Sequence, residues 1–296
     1  MATVAAETGG PVVMEERTAS KIVRLLGKTP VYIVIVVLGL FWLVPTFGLL
    51  LTSLIGAEEV QNTGWWETLS TPSLLTLENY GDILQNDAIT GALWTTLWIS
   101  LGATAIPIVV AALAGYAFAW LEFPGRDWLF LLVVALLVVP IQMALIPIFS
   151  LYSDLGLFDT IFGLILFHTA FGLPFAIFLL RNFFLGIPKD LIEAARIDGA
   201  SELVIFTRLI LPLGLPAIAS LAIFQFLWVW NDLLVALTFG QSTQPITVAI
   251  FSQLRQFGAN IELIAPAAFL SLAIPLAVFF AFQRYFVQGL LAGSVK

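Results

Sequence analysis

Six long apolar stretches divide the chain, at about 31–55, 89–121, 128–151, 160–180, 211–237 and 264–281. Each is close to the length that a helix needs to cross the hydrocarbon core of a bilayer, about 20 apolar residues. The pattern predicts an all-α, polytopic membrane protein with six transmembrane helices. Prolines within the stretches are expected to kink the helices, at Pro140, Pro147, Pro174, Pro212 and Pro216.

Composition agrees with a membrane location. The 296 residues are 60% hydrophobic and 10% charged, whereas a soluble domain carries about 25% charged residues. The absence of cysteine excludes disulfides and cysteine-based metal sites. Gly27, Lys28 and Thr29 look like the end of a phosphate-binding loop, but that loop also needs a glycine where Ile22 stands. We therefore expect no cofactor and no ATP bound by this chain itself.

The basic residues predict the orientation. With the amino end inside, 11 of the 12 Lys and Arg residues fall on the cytoplasmic side, and Arg255 alone falls outside. Both termini are then cytoplasmic, in the plasma (inner) membrane. The first apolar stretch is too long for a cleaved signal peptide and is interpreted as a retained anchor.

We predict four regions along the chain. They are a cytoplasmic amino-terminal tail at 1–29, the first span with an acidic external loop at 30–88, a core membrane domain at 89–286, and a cytoplasmic tail at 287–296.

A polar, helix-forming segment separates the fourth and fifth stretches on the cytoplasmic side. Pro188 suits the first position of a helix, where its missing N–H costs nothing. Asp190 lies in the first turn, where negative charge meets the positive helix end. Glu193 and Arg196 are three residues apart and can pair on one face. A short first helix is predicted here.

A second short helix is predicted directly after the first. Gly199 permits a backbone break, and Ser201 suits the N-cap of a helix that runs to Pro212. Ala194 and Ala195 leave little bulk, so the first helix could lie deep in a groove. These residues alone leave two interpretations open: a socket for a partner protein, or an amphipathic helix on the membrane surface.

The segment resembles the EAA loop of binding-protein-dependent ABC importers. That loop reads E-A-A, three residues, G, nine residues, I, one residue, L-P. The corresponding positions are Glu193, Ala194, Ala195, Gly199, Leu209, Leu211 and Pro212, with Leu in place of Ile at 209. Residues 172–200, 230–232 and 282–296 are similar to permeases of maltose-type carbohydrate importers, and the ending resembles the smaller permease of the pair.

The resemblance implies a type I ABC importer permease with the EAA coupling loop at about 186–212. Its partners would be an ABC ATPase dimer, a second and different permease, an extracytoplasmic sugar-binding protein and the lipid bilayer, with no nucleic acid. The substrate would be a di- or oligosaccharide such as maltose or another α-glucoside, and the ATPase would hydrolyse the ATP. The residues implied in ATPase coupling are Glu193, Ala194, Ala195, Arg196, Asp198, Gly199, Leu211 and Pro212.

Two other functions remain open. An ABC importer for a non-sugar solute would share the EAA loop but not the carboxyl ending. A secondary transporter would need buried ionisable groups and often shows an inverted repeat. The sequence displays one His and no repeat, which favours the importer.

Polar groups within spans are costly and are often functional. For the substrate path the candidates are Gln225, Trp228, Asn231 and Asp232, because sugar sites combine hydrogen-bonding side chains with aromatic faces. His168 is interpreted as a neutral partner in helix–helix hydrogen bonding. Asn231 and Asp232 could instead cap the outer end of the span or contact the binding protein. In maltose-type importers the other permease makes most of the sugar contacts.

Overall fold

A computed structural model describes residues 12–257 and 261–292. That part of the chain is helical nearly throughout, with one isolated bridge between Ile55 and Leu75. The helices are α1 (Val12–Ser53), α2 (Glu78–Gln85), α3 (Asp87–Trp120), α4 (Arg126–Leu136), α5 (Ile141–Asp154), α6 (Ile161–Leu185), α7 (Lys189–Ile197), α8 (Glu202–Ile205), α9 (Leu211–Trp230), α10 (Leu234–Phe239), α11 (Ile246–Phe257) and α12 (Ile261–Ala292).

Within these ranges, five helical stretches are long and apolar enough to cross a membrane. They are Thr29–Ser53, Asp87–Trp120, Ile161–Leu185, Glu202–Trp230 and Ile261–Arg284. A sixth is obtained if α4 and α5, which are bent by 100°, count as one broken span. The all-α prediction with six transmembrane helices is confirmed in this form.

The third span is the one whose shape differs most from the expectation. Residues 128–151 were expected to form one helix with kinks, but α4 ends at Leu136 and α5 begins at Ile141. Pro140 precedes α5 with an extended backbone, φ −66° and ψ 128°. Proline has no N–H to continue a helix. The sequence predicts a kink at Pro140, whereas the structure has a full break in the helix there.

Helix α1 is longer than the predicted first span. It begins at Val12, so residues 12–29 of the predicted tail are helical. Residues 1–11 of that tail and 293–296 of the carboxyl tail lie outside the described part of the chain. The apolar side chains of α1 are largely exposed from Val31 to Phe47, which is the surface that a helix offers to lipid or to another subunit.

The core lies between α3, α6 and α9. Small residues let these helices approach: a Cβ on Gly115 of α3 would lie 3.1 Å from the backbone nitrogen of Arg181 in α6. One buried cluster, which includes Leu180, Phe184 and Ile210, fills the end where α3 and α6 finish and α9 begins. We call this the inner end, because the polar segment of the sequence lies there.

The opposite, outer end carries the loops between α1 and α3 and between α9 and α12. The side-chain amide of Asn79 donates to the backbone oxygen of Ile55 (2.7 Å), which fastens α2 to the end of α1. The backbone N–H of Ile246, at the start of α11, donates to Thr96 Oγ1 of α3 (2.7 Å). The outer loops are thus tied to the bundle by buried hydrogen bonds.

Candidate functional site

The polar segment at the inner end folds as two helices joined by a tight turn, as predicted. The second helix was expected to end at Pro212, but it continues through a π-helical turn into α9. The N–H of Gly199 donates to the backbone oxygen of Arg196 (3.0 Å), and the N–H of Ala200 donates to that of Ala195 (3.0 Å). This pair of bonds is the Schellman arrangement that ends a helix with a left-handed residue. Gly199 has φ +79°.

Gly199 is needed for its backbone rather than for space. No described atom lies within 4 Å of the position that a Cβ would take there. A residue with a side chain is nevertheless strained at that φ, and glycine is not. The predicted break in the backbone therefore has a specific geometry, which sets the angle between α7 and α8.

The starts of both helices differ in detail from the expectations. Pro188 is the N-cap of α7 rather than its first residue, and Asp190 lies in the first turn. Ser201 is the N-cap of α8, but within the described residues its side chain makes no capping bond. The position of Ser201 was predicted correctly, whereas its hydrogen bond was not.

The charged residues of α7 pair differently from the prediction. Glu193 forms an ion pair with Lys189, one turn earlier, at 2.7 Å, rather than with Arg196. A Lys and a Glu four residues apart lie on the same face of a helix. The hydrogen bond and charge of Lys189 lower the pKa of the Glu193 carboxyl. Both side chains lie at the surface of the segment, open to a partner.

Arg196 instead connects three helices. Its Nε and Nη2 donate to the two carboxylate oxygens of Glu202 in α8, at 2.8 and 3.2 Å. Nη2 also donates to the backbone oxygen of Trp120, the last residue of α3 (3.1 Å). Tyr116, one turn earlier in α3, donates its hydroxyl to the same carboxylate. We call Tyr116, Trp120, Arg196 and Glu202 the inner junction.

The inner junction has one further connection. The indole Nε1 of Trp120 donates to the backbone oxygen of Phe184 at the end of α6 (3.2 Å). The hydrogen bond from Arg196 to Glu202 raises the pKa of the Arg196 guanidinium, so its charge is held. The ends of α3 and α6 and both short helices are therefore joined.

Part of the inner junction is indicated by local sequence pattern. Glu202 follows an N-cap residue, a position where acids are favoured, and Arg196 was already a candidate. Tyr116 and Trp120 belong to a helix some 80 residues earlier in the chain, and no local pattern marks them as partners.

One face of the segment is buried against the bundle. Ile192 of α7 is fully buried and lies in the cluster with Phe184, Ile187 and Ile205. Ala195 is half-buried against the same cluster. The inward-facing apolar side chains of α7 are therefore covered by the protein itself.

Three other apolar side chains of the segment are exposed. Ile197 is 86% exposed and Leu203 is 67% exposed, one on each side of the Gly199 turn, and Leu191 is also exposed. Large exposed apolar side chains rimmed by charged residues are typical of a protein–protein contact. We call Leu191, Ile197 and Leu203 the exposed ridge.

Of the other residues implied in coupling, Ala194 and Asp198 are exposed on α7 and its turn, and Leu211 and Pro212 begin α9. Phe206–Ile210, between α8 and α9, forms a π-helical turn. The helical path from Glu202 to Trp230 is otherwise unbroken. A displacement of α8 therefore acts on α9 directly.

The candidates for the substrate path lie around the outer half of α9. Trp228 and Asn231 are exposed, and the Asn231 amide donates to the backbone oxygen of Leu227 (2.7 Å). The Asp232 carboxylate accepts from the N–H groups of Val235 (3.3 Å) and Ala236 (2.9 Å), at the start of α10.

Gln225 is buried, and its amide nitrogen donates to the backbone oxygen of Ala103 in α3 (3.1 Å). The buried His168 lies beside these residues, with Nε2 3.7 Å from Asp232 Oδ2 and its ring edge-on to Trp228. Its Nδ1 has no partner among the described residues. The polar groups of Gln225 and Asp232 are thus engaged in contacts within the protein, whereas Trp228 and Asn231 are accessible.

Comparison with known proteins identifies the family. Residues 107–291 match the family described as the binding-protein-dependent transport system inner membrane component. The chain belongs to this family of ABC importer permeases, which confirms the family predicted from the EAA loop.

Several characterised relatives align over most of the chain. It is 50% identical to the osmoprotective compounds uptake permease protein GgtD of Synechocystis, over 91% of this chain and 92% of that one. It is 49% identical to the alpha-glucoside transport system permease protein AglG of Rhizobium meliloti, over 77% and 62%. It is 40% identical to the trehalose transport system permease protein SugB of Mycobacterium tuberculosis, over 76% and 84%.

Solved structures share the fold. A chain of a bacterial ABC transporter that imports the acidic polysaccharide alginate superposes with a TM-score of 0.72 at 21% identity, over 89% of this chain and 97% of that one. At this identity the likeness establishes the fold alone, that of an ABC importer permease.

Proposed function

We propose that this chain is one of two membrane-spanning permease subunits of an ATP-driven importer for di- or oligosaccharides. Relatives named for α-glucoside and trehalose transport support the substrate class. A separate ATPase dimer hydrolyses ATP and binds the α7–α8 segment. Both termini face the cytoplasm, and an extracytoplasmic sugar-binding protein delivers the substrate at the outer end.

The two-faced α7–α8 segment is the observation that carries the proposal. A helix lying on a membrane surface would turn its apolar face to the lipid. The inward apolar residue of α7, Ile192, is already buried by the bundle. Ile197 and Leu203 of the exposed ridge stand on either side of the Gly199 turn, away from this buried residue, so a protein partner is favoured over the membrane surface.

The continuous helix from α8 to α9 provides a route for transmitting the conformational change. ATP-dependent closure of the ATPase moves α7 and α8, and the movement passes through the π-helical turn into α9. The inner junction passes the same movement to the ends of α3 and α6. Transport results when these helices open the pathway to the outside and then to the inside.

The substrate path is proposed to pass Trp228 and Asn231. An aromatic face and an amide are suited to a sugar ring and its hydroxyls. Gln225 and Asp232 are assigned to holding the helices around the path, because their polar atoms are engaged within the protein.

Purification of the solubilised importer tests the partner. Ile197→Asp and Leu203→Asp are expected to lose the co-purifying ATPase, because a carboxylate would be desolvated in an apolar contact. The matched control is Leu77→Asp, a site that is 73% exposed at the outer end, which should retain the ATPase. Full retention of the ATPase by both inner variants would contradict the proposal.

Coupling and substrate need separate measurements. Glu193→Gln is expected to leave membrane insertion intact but to uncouple uptake from ATP hydrolysis; normal coupling would count against the proposed role. The substrate is identified by ATPase stimulation with a panel of oligosaccharides and the cognate binding protein. Asn231→Ala should weaken the apparent affinity for that sugar, and unchanged affinity would remove Asn231 from the path.

A further inference from the structure

Two prolines inside membrane helices leave backbone oxygens that their own helices cannot satisfy. A helical carbonyl normally accepts from the N–H four residues later, and proline has none. Pro107 in α3 therefore frees the oxygen of Ala103, and Pro275 in α12 frees that of Ser271. Such an oxygen is costly in a membrane unless another group donates to it.

Both freed oxygens accept a hydrogen bond from a side chain of α9. Gln225 Nε2 donates to Ala103 O at 3.1 Å, and Trp230 Nε1 donates to Ser271 O at 2.9 Å. Both side chains are buried. One helix thus supplies the donors for proline-freed oxygens in two different neighbours.

The contact at Gln225 depends on a close approach to α6. A Cβ on Gly172 would lie 2.4 Å from Gln225 Nε2 and 2.7 Å from Oε1. Only glycine leaves room for the amide there. The same nitrogen lies 3.4 Å from the backbone oxygen of His168 in α6. Gly172 and the His168 oxygen of α6, together with the Ala103 oxygen of α3, therefore hold this side chain in one place.

We propose that Gln225 and Trp230 are positioning residues through which α9 controls bending of α3 and α12 at Pro107 and Pro275. A proline removes the hydrogen bond that would resist bending. A donor from α9 at that point ties the bend to the position of α9. Movement of α9 then bends both neighbours together. The proposal rests on the proposed function only in that α9 is the helix which the α7–α8 segment moves.

If Gln225 served only to fill space, the contacts would be the same, but the effect of its loss would not depend on Pro107. If Gln225 acts through the oxygen freed by Pro107, it becomes dispensable once Pro107→Ala restores an N–H to that oxygen. A side chain that merely fills space remains necessary in either background. The same logic holds for Trp230 and Pro275.

The test is a set of double-variant cycles on the complete importer, purified with its native partners and reconstituted in proteoliposomes. The measured quantity is sugar uptake per ATP hydrolysed. Gln225→Leu is expected to lower it by about threefold, and at most about twentyfold, the range seen for interhelical hydrogen bonds in membranes. Addition of Pro107→Ala should restore it to the value of Pro107→Ala alone.

The second proline supplies both a repeat and a control. Trp230→Phe should be rescued by Pro275→Ala, because phenylalanine keeps the ring and removes the donor. The crossed combinations, Gln225→Leu with Pro275→Ala and Trp230→Phe with Pro107→Ala, should show no rescue. The proposal is overturned if Pro107→Ala and Pro275→Ala rescue each α9 variant equally. It is also overturned if Gln225→Leu and Trp230→Phe each keep the wild-type uptake per ATP.

Failure of assembly is also informative. If Gln225→Leu does not assemble, the proposal requires that its combination with Pro107→Ala does, and that this pair transports as well as Pro107→Ala alone. A double variant that also fails to assemble overturns it. The proposed function is judged separately, by whether the unaltered importer shows ATP-driven sugar uptake at all.

Discussion

The two ends of the bundle are each held together by a carboxylate, but in different ways. At the outer end, Asp159 accepts from the backbone N–H groups of Ser242 (2.9 and 3.0 Å) and Thr243 (3.0 Å), and from the Ser242 hydroxyl. The Thr243 hydroxyl donates back to Asp159 O (2.8 Å). At the inner end, Glu202 is held by the side chains of Arg196 and Tyr116.

The difference lies in what the carboxylate holds. Backbone N–H groups cannot turn away without moving the chain, so the α5–α6 turn and the loop before α11 are fixed to each other. The long arm of Arg196 has several rotatable bonds, and it can keep its partner while the helices change their angle. We infer a stiff outer end and a more mobile inner end, as the proposed coupling through α7 and α8 requires.

Breaking the outer contact should have the largest effect. Asp159→Ala removes one acceptor from several donors and places alanine at φ 57°. We expect a local loss of about 2–3 kcal/mol, since hydrogen bonds to charged groups are the stronger class. Hydrogen–deuterium exchange at 241–244 should rise accordingly. The control Asp154→Ala, in the same connection, should leave those amides protected; equal exchange in both variants would contradict a stiff outer end.

Strain at the turn between α7 and α8 comes next. Gly199→Ala should cost about 1–2 kcal/mol through its left-handed backbone and lower uptake per ATP. Gly125 has the same φ of +79° and equally open surroundings, so Gly125→Ala carries matched strain away from α7. ATP-driven uptake in vesicles should fall for the variant at 199 alone. A similar fall at 125 would mean that general instability is responsible.

Loss of the inner junction should have a smaller effect on stability. Arg196→Ala removes a two-pronged ion pair between half-exposed groups, for about 1 kcal/mol. Lys189→Ala breaks a pair within α7 and should cost less. Disulfide trapping between single cysteines introduced into α3 and α8, followed over time, should show wider relative movement for the Arg196 variant than for the Lys189 variant. Indistinguishable trapping rates would mean that the inner junction does not connect the helices.

Acid provides the mildest perturbation. Burial raises the pKa of Asp159, but the hydrogen bonds from Ser242 and Thr243 outweigh it and lower the pKa below its ordinary value. A lowered pKa gives stability that is complete above the ordinary value of about 3.9 and is lost as pH falls through the folded-state pKa. The thermal stability (Tm) of the wild type should therefore fall below about pH 4 more than that of Asp159→Asn. Parallel pH profiles would contradict this role of Asp159.

Much of the fold could be predicted from local pattern. Spans follow from apolar length, and the α7–α8 segment follows from Pro188, Gly199 and the spacing of the EAA loop. The break at Pro140 was underestimated, because a proline permits either a kink or a full stop and the surrounding packing decides. The partner of Glu193 was misjudged between two bases on the same helix.

Contacts between distant helices could not be predicted in this way. The donors for the Ala103 and Ser271 oxygens depend on how α9 is rotated against α3 and α12, which no single stretch encodes. Gln225 was therefore interpreted by its chemistry, as a sugar ligand, when its position gives it a structural partner. Sequence pattern identified the polar residues, and packing determined what each one meets.

The close fit of Gly172 against Gln225 restricts the order in which descendants of this protein could change. A larger residue at 172 is blocked while Gln225 is present. Loss of Gln225 is costly while Pro107 leaves the Ala103 oxygen unsatisfied. The substitutions are therefore tolerated in one order: Pro107 is replaced first, Gln225 second and Gly172 last. The three positions, far apart in the chain, are thus expected to be inherited as a linked set.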